Sequence, residues 1–145
     1  MKTIILYYSH SGNTKALAYK KASELGADIE EIVEVKKPFI AVGLYRAAKR
    51  KKTVIQPIKA QLDGFDKIII MSPVWKDRPV SAINSLIDCL PKGKKVEFIM
   101  VSAGGGTRVS AEETKALVTM RGCEVVGYTD VFAKRKGGEV FSQNI

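Results

Sequence analysis

The chain predicts an α/β fold: a doubly wound sheet of parallel strands with helices on both faces. Two observations predict it. Short apolar runs rich in β-branched residues alternate with helical patterns in the order β-α-β-α-β-α-β-α-β. The runs at 3–8, 67–71 and 96–101 are almost wholly apolar, as strands buried on both faces must be. A third observation places a site. These three runs each give way to small or polar residues, and open parallel sheets bind ligands outside the carboxyl ends of their strands.

The first strand covers Thr3 to Tyr8 and runs into Ser9-His10-Ser11-Gly12-Asn13-Thr14. A helix follows, with Leu17, Ala18, Ala22 and Leu25 at helical spacing, and Gly26 is placed to stop it. Ile29 to Val35 reads as a second strand. Its three glutamates, Glu30, Glu31 and Glu34, suit a sheet edge. Pro38 can start a second helix over Ile40 to Lys49, which ends in a basic cluster and an irregular stretch through Pro57.

Lys67 to Met71 is a third, central strand that runs into a loop, Ser72-Pro73-Val74-Trp75-Lys76-Asp77-Arg78-Pro79. Val80, Ile83, Ile87 and Leu90 give the next helix one buried face, and Pro91 and Gly93 end it. Val96 to Val101 is the fourth strand, followed by Ser102-Ala103-Gly104-Gly105-Gly106. Ser110 and Glu113 have capping-box spacing at the start of the last helix, and Gly122 closes it. Glu124 to Ala133 is the fifth strand. After it, Lys134 to Ile145 contains Gly137-Gly138 and predicts a hairpin or tail rather than a covering helix.

The 145 residues and 46% hydrophobic content suit one domain over 1–145 with a single core. No apolar run approaches a membrane span and no signal-peptide pattern opens the chain, which predicts a cytoplasmic protein. Cys89 and Cys123 form no motif and read as buried free thiols. With one histidine and no ligand cluster, neither a metal site nor Ser-His or Cys-His catalysis is expected. No G-x-G-x-x-G follows the first strand and no G-x-x-x-x-G-K-[ST] occurs, which disfavours dinucleotide and nucleoside-triphosphate sites of those types.

The polar loop at 9–14 is an anion site by construction. It feeds a helix N-terminus, where backbone N–H groups lack intrahelical partners and the dipole favours negative charge. Ser9, Ser11, Asn13 and Thr14 add hydroxyl and amide donors, and Gly12 lets the backbone approach a ligand closely. Taken alone, the same residues are ordinary turn and cap residues.

The pattern resembles the flavodoxin family over roughly residues 3–133. The family's phosphate loop, aromatic-x-[Ser/Thr]-x-x-Gly-x-Thr-x-x-x-Ala, is matched by Tyr7, Ser9, Gly12, Thr14 and Ala18. Lys21 departs from the aliphatic residue usual three places later. Ser72-Pro73-Val74-Trp75 is similar to the family's piece after the third strand, and Ser102 to Gly106 to its Gly-rich loop.

The resemblance implies strand order 2-1-3-4-5 and non-covalent FMN. Ser9, Ser11, Asn13 and Thr14 would hold the phosphate, helped by the backbone N–H groups of His10 and Gly12. Trp75 would stack on the flavin, with Pro73, Val74 and Lys76 beside it. Ser102, Ala103, Gly104 and Gly105 would border the other edge of the ring. No residue takes a catalytic role.

An FMN-binding redox protein is therefore expected, passing electrons to a redox protein partner. The alternative within the flavin class is a reductase of small acceptors such as quinones. The net charge of +9, from 24 Lys+Arg against 15 Asp+Glu, suits an acidic partner and departs from the acidic face of carrier flavodoxins. The charge clusters at Arg46, Lys49, Arg50, Lys51 and Lys52 and at Lys134-Arg135-Lys136. A nucleic-acid-binding module is disfavoured, because aromatics are not interleaved with those clusters. An interaction domain of the same fold without flavin is a further alternative. Without a final helix the sheet face beside the first helix would be open, and a homodimer covering it is expected, the competing outcome being a monomer whose tail folds back so that Phe141 plugs the gap.

Overall fold

The computed structural model describes residues 1–36, 39–102, 106–133 and 140–144. Its elements are β1 (Thr3–Tyr7), α1 (Asn13–Leu25), β2 (Asp28–Glu31), α2 (Ile40–Ala48), β3 (Lys67–Trp75), β4 (Arg78–Pro79), α3 (Ser81–Asp88), β5 (Lys95–Ser102), α4 (Ala111–Met120), β6 (Glu124–Ala133) and β7 (Val140–Asn144). The sheet order is β2-β1-β3-β5-β6-β7, with β4 paired to β3. Neighbours from β2 to β6 are parallel, so these five strands carry the expected doubly wound order.

Alternation within the continuous apolar runs divides the core between two faces. Ile4, Leu6, Ile68, Ile70, Phe98 and Met100 point to the face packed by α3 and α4. Ile5, Tyr7, Ile69, Met71, Ile99 and Val101 point to the face packed by Ala18 and Ala22 of α1. Each large side chain so buried contributes about 1.5–3 kcal/mol.

Four local readings are corrected. The second strand leaves the sheet earlier than expected, because residues 33–35 turn to pair with 54–56 through Gln56 N–H to Val33 O (2.7 Å) and Val35 N–H to Val54 O (2.9 Å). The expected loop at 72–79 is a hairpin: β3 continues to Trp75, and Lys76 and Asp77 form a two-residue turn with φ of 53° and 60°. The Ser110–Glu113 capping box does not form. Ser110 Oγ instead donates to the carbonyl of Asp77, and the carboxylate of Glu113 pairs with Arg50 at 2.6 Å. Cys89 is exposed, and only Cys123 is a buried thiol.

Gly26 ends α1 in the left-handed conformation at φ 62° as its position predicts. At the C-terminus, β7 pairs antiparallel with β6, Thr129 facing Asn144 and Ala133 facing Val140. On the face beside α1, Ile99 is 7% and Val131 9% exposed within a single chain, so the open patch expected there does not occur at these positions. Pro38, expected at the start of α2, lies outside the described residues.

Candidate functional site

β1, β3 and β5 are neighbours in the sheet, so their C-terminal ends gather the three polar segments at one edge. The strand order reverses between β1 and β3. β3 runs past the end of β1, whose Tyr7 pairs with Met71, and carries Ser72 to Trp75 above the 9–14 loop.

In that loop, Gly12 takes φ 95° at the N-cap of α1, a conformation that favours glycine. Its own side offers no capping side chain, and Ser9 takes the task. Ser9 Oγ accepts the N–H of Gly12 (3.1 Å) and of Lys15 (3.3 Å), which leaves its hydroxyl proton free to donate. The N–H groups of His10, Ser11, Asn13 and Thr14 have no acceptor among the described residues. Thr14 is 2% exposed, whereas His10, Ser11, Gly12 and Asn13 are open to solvent. The first turn of α1 contains no acid. The loop is thus a cluster of donors without a carboxylate, a composition that fits a phosphate ester.

Trp75 is half-buried at the end of β3. Its indole meets the ring of Tyr8 at 6.2 Å and that of His10 at 5.4 Å, both edge-to-face. Tyr8 is fixed in turn by donating its hydroxyl to Glu34, and burial followed by that bond raises its pKa well above the usual tyrosine value. The structure therefore brings His10 of the first loop against Trp75 of the second. Pro73 and Val74 are half-buried beside Trp75 and Lys76 is exposed at the hairpin tip. Ser72 is buried and locks the base of the hairpin, donating to Pro73 O (2.8 Å) and accepting from Val80 N–H (3.3 Å).

Ser102 closes β5 with its hydroxyl accepting the N–H of Gly106 at 3.3 Å. Ala103, Gly104 and Gly105 lie outside the described residues. Beyond them, a buried network that the sequence reading missed holds the loop's far end. The Asp130 carboxylate accepts the N–H (2.9 Å) and the hydroxyl (2.7 Å) of Thr107, whose Oγ1 lies 2.6 Å from Tyr128 Oη. An acid inside the apolar strand 124–133 was the available signal. Arg78 ties the hairpin to α2, and Arg50 ties the end of α2 to α4. Arg78 donates to Ala48 O (2.8 Å), and Arg50 pairs with Glu113, holding its carboxyl below the usual range.

Among the described residues no group of acids, histidines or cysteines could hold a metal ion, and no helix is long and apolar enough to cross a membrane.

The fold and the donor-rich loop at its switch point define a flavodoxin-like α/β protein. Residues 1–136 match the model of the NADPH-dependent FMN reductase family. The chain belongs to this FMN-binding family, and FMN is its cofactor.

Among solved structures, it is similar to a Lactobacillus acidophilus NCFM flavoprotein in complex with FMN, at 29% identity and a TM-score of 0.76, covering 88% of this chain and 91% of that one. The apo form of the flavoprotein from the same organism aligns at 27% identity and a TM-score of 0.70, covering 88% and 89%. Oxidised flavodoxin 1 from Bacillus cereus shares the fold at 18% identity and a TM-score of 0.55, covering 94% and 88%. No curated protein matches the chain.

Proposed function

We propose that this chain is an FMN-dependent oxidoreductase that takes electrons from a reduced nicotinamide nucleotide and passes them to a second acceptor. The observation that supports a flavin here is the donor cluster at residues 9–14, packed through His10 against Trp75 at 5.4 Å, and the family match over residues 1–136 supports the nicotinamide donor. When bound, FMN supplies the redox chemistry, accepting electrons from one substrate and releasing them to another.

The chain's own residues bind and orient. The backbone N–H groups of His10, Ser11, Asn13 and Thr14, with the hydroxyls of Ser9, Ser11 and Thr14, take the phosphate. Trp75 offers its ring to the flavin, flanked by Pro73, Val74 and Lys76. Ser102 borders the opposite edge. No side chain in this set is placed as a general acid or base.

Addition of FMN to the purified chain, followed by the emission of Trp75 (the only tryptophan) and by oxidation of NADPH and NADH with a quinone present, tests the proposal. Quenching with turnover supports it. Quenching without turnover of either nucleotide leaves a carrier, which exchanges electrons with a protein instead. The basic charge of +9 points that carrier to an acidic partner.

A further inference from the structure

α2 is built the wrong way round for a helix that ends at the surface of a lone molecule. Its buried side is made of Gly43 and Ala47, while Ile40, Val42 and Tyr45 face outward. Phe39 is 87%, Tyr45 55% and Val42 41% exposed. The neighbouring segment continues the pattern, with Val54 71% exposed. These residues line a groove of about 940 Å³. Exposed apolar residues scattered singly need no explanation, but a contiguous groove of them marks an interaction site.

The groove's charge says what it takes. Its cations are Lys36, Arg46 and Lys51, with Lys52 paired to Asp88 at 2.6 Å, and no acid lines it among the described residues. Lys51 also lies 5.7 Å over the ring of Tyr45, so charge and apolar surface are interleaved rather than segregated. A second copy of this chain is a poor occupant, since each carries +9. The inner side of the same helix touches Trp75 through Gly43, so one turn of α2 separates the groove from the candidate flavin site.

We propose that the outer face of α2 and residues 51–54 dock an acidic partner protein whose contact surface carries aromatic or aliphatic side chains. The role assigned to this docking, bringing a redox partner beside the flavin, rests on the oxidoreductase reading. The docking itself does not.

The test uses the whole chain and two probes, a random copolymer of glutamate and tyrosine and poly-glutamate of equal length, titrated at fixed salt. The copolymer is expected to bind at least tenfold tighter than poly-glutamate. Phe39→Ser with Tyr45→Ser should abolish that preference without changing the charge, and Val54→Asp provides an independent check. Arg46→Glu with Lys51→Glu should weaken binding at least tenfold. Lys20→Glu with Lys92→Glu, the same charge change elsewhere, should cost less than threefold. Equal losses for the two charge pairs, no preference for the copolymer, or tighter binding to phosphatidylserine vesicles would each overturn the proposal. FMN affinity, read separately from Trp75 emission, distinguishes this failure from failure of the flavin reading.

Discussion

Gly43 and Trp75 meet with no room for a side chain between them: a Cβ on Gly43 would stand 2.6 Å from Cζ3 of the indole. The contact lets the backbone of α2 approach the six-membered ring of the indole, which Tyr8 and His10 also meet edge-to-face. Gly43→Ala should therefore move the indole or the helix rather than be absorbed. Overpacking of this kind costs about 1–3 kcal/mol. The emission of Trp75 should change in the apo protein, and FMN and riboflavin should weaken together, because the ring and not the phosphate is affected. An unchanged spectrum with unchanged affinities would show that the contact positions nothing.

That contact also shows where sequence reasoning stops. The strands were legible because burial on both faces leaves uninterrupted apolar runs, as at Ile68-Ile69-Ile70-Met71. The polar loop at 9–14 was legible as a link from strand to helix because its signals are local, one strand end and one helix start. The hairpin at Trp75 was not. Its turn uses Lys76 and Asp77 at positive φ, where the usual signal is Asn-Gly or Asp-Gly. Ser110 and Glu113 mislead for a related reason. Their spacing suits a local cap, but Asp77 and Arg50 are better partners that only the fold brings near.

The phosphate loop predicts a selective defect. Thr14 occupies the second position of α1, buried, with its N–H unpartnered. Thr14→Ala should weaken FMN while sparing riboflavin, which lacks the phosphate. Losing a hydrogen bond to a charged group costs roughly 1.5–3 kcal/mol, or about ten- to a hundredfold in affinity. Quenching titrations with both ligands decide the matter, and equal losses would reject the assignment.

Lys76 predicts a shift in potential. It is exposed at the hairpin tip beside Trp75, whereas Arg78 turns away to Ala48 and Glu113. Reduced flavin carries more negative charge than oxidised flavin, so a nearby cation favours reduction. Replacing Lys76 by glutamate changes the charge by two units, worth about 1 kcal/mol at roughly 9 Å in water. That is about 20 mV for a two-electron couple. The midpoint of the Lys76→Glu variant should be more negative than wild type, by less as salt rises. A midpoint that stays put or moves upward contradicts the placement of Lys76 near the ring.

Tyr128 predicts how the fold fails in alkali. Its hydroxyl is buried against Thr107, and burial is the main cause that pushes its pKa up to about 12, with the Asp130 charge adding to the rise. The ordinary value is about 10. A tyrosine held protonated in the folded state contributes stability that is fully present below pH 10. Between pH 10 and 12 the unfolded chain loses the proton while the folded chain keeps it, so stability falls as pH rises. The loss from this one group is at most about 3 kcal/mol. Tyr7 is pushed to about 12 as well, chiefly by burial, so the variant should flatten the alkaline decline rather than remove it. Tyr128→Phe is expected to be less stable than wild type at pH 8, where it lacks the bond to Thr107, and to converge on wild type by pH 11. Urea midpoints measured at pH 8, 10 and 11 follow both limbs. Parallel declines for the two proteins would mean that Tyr128 does not hold its proton in the fold.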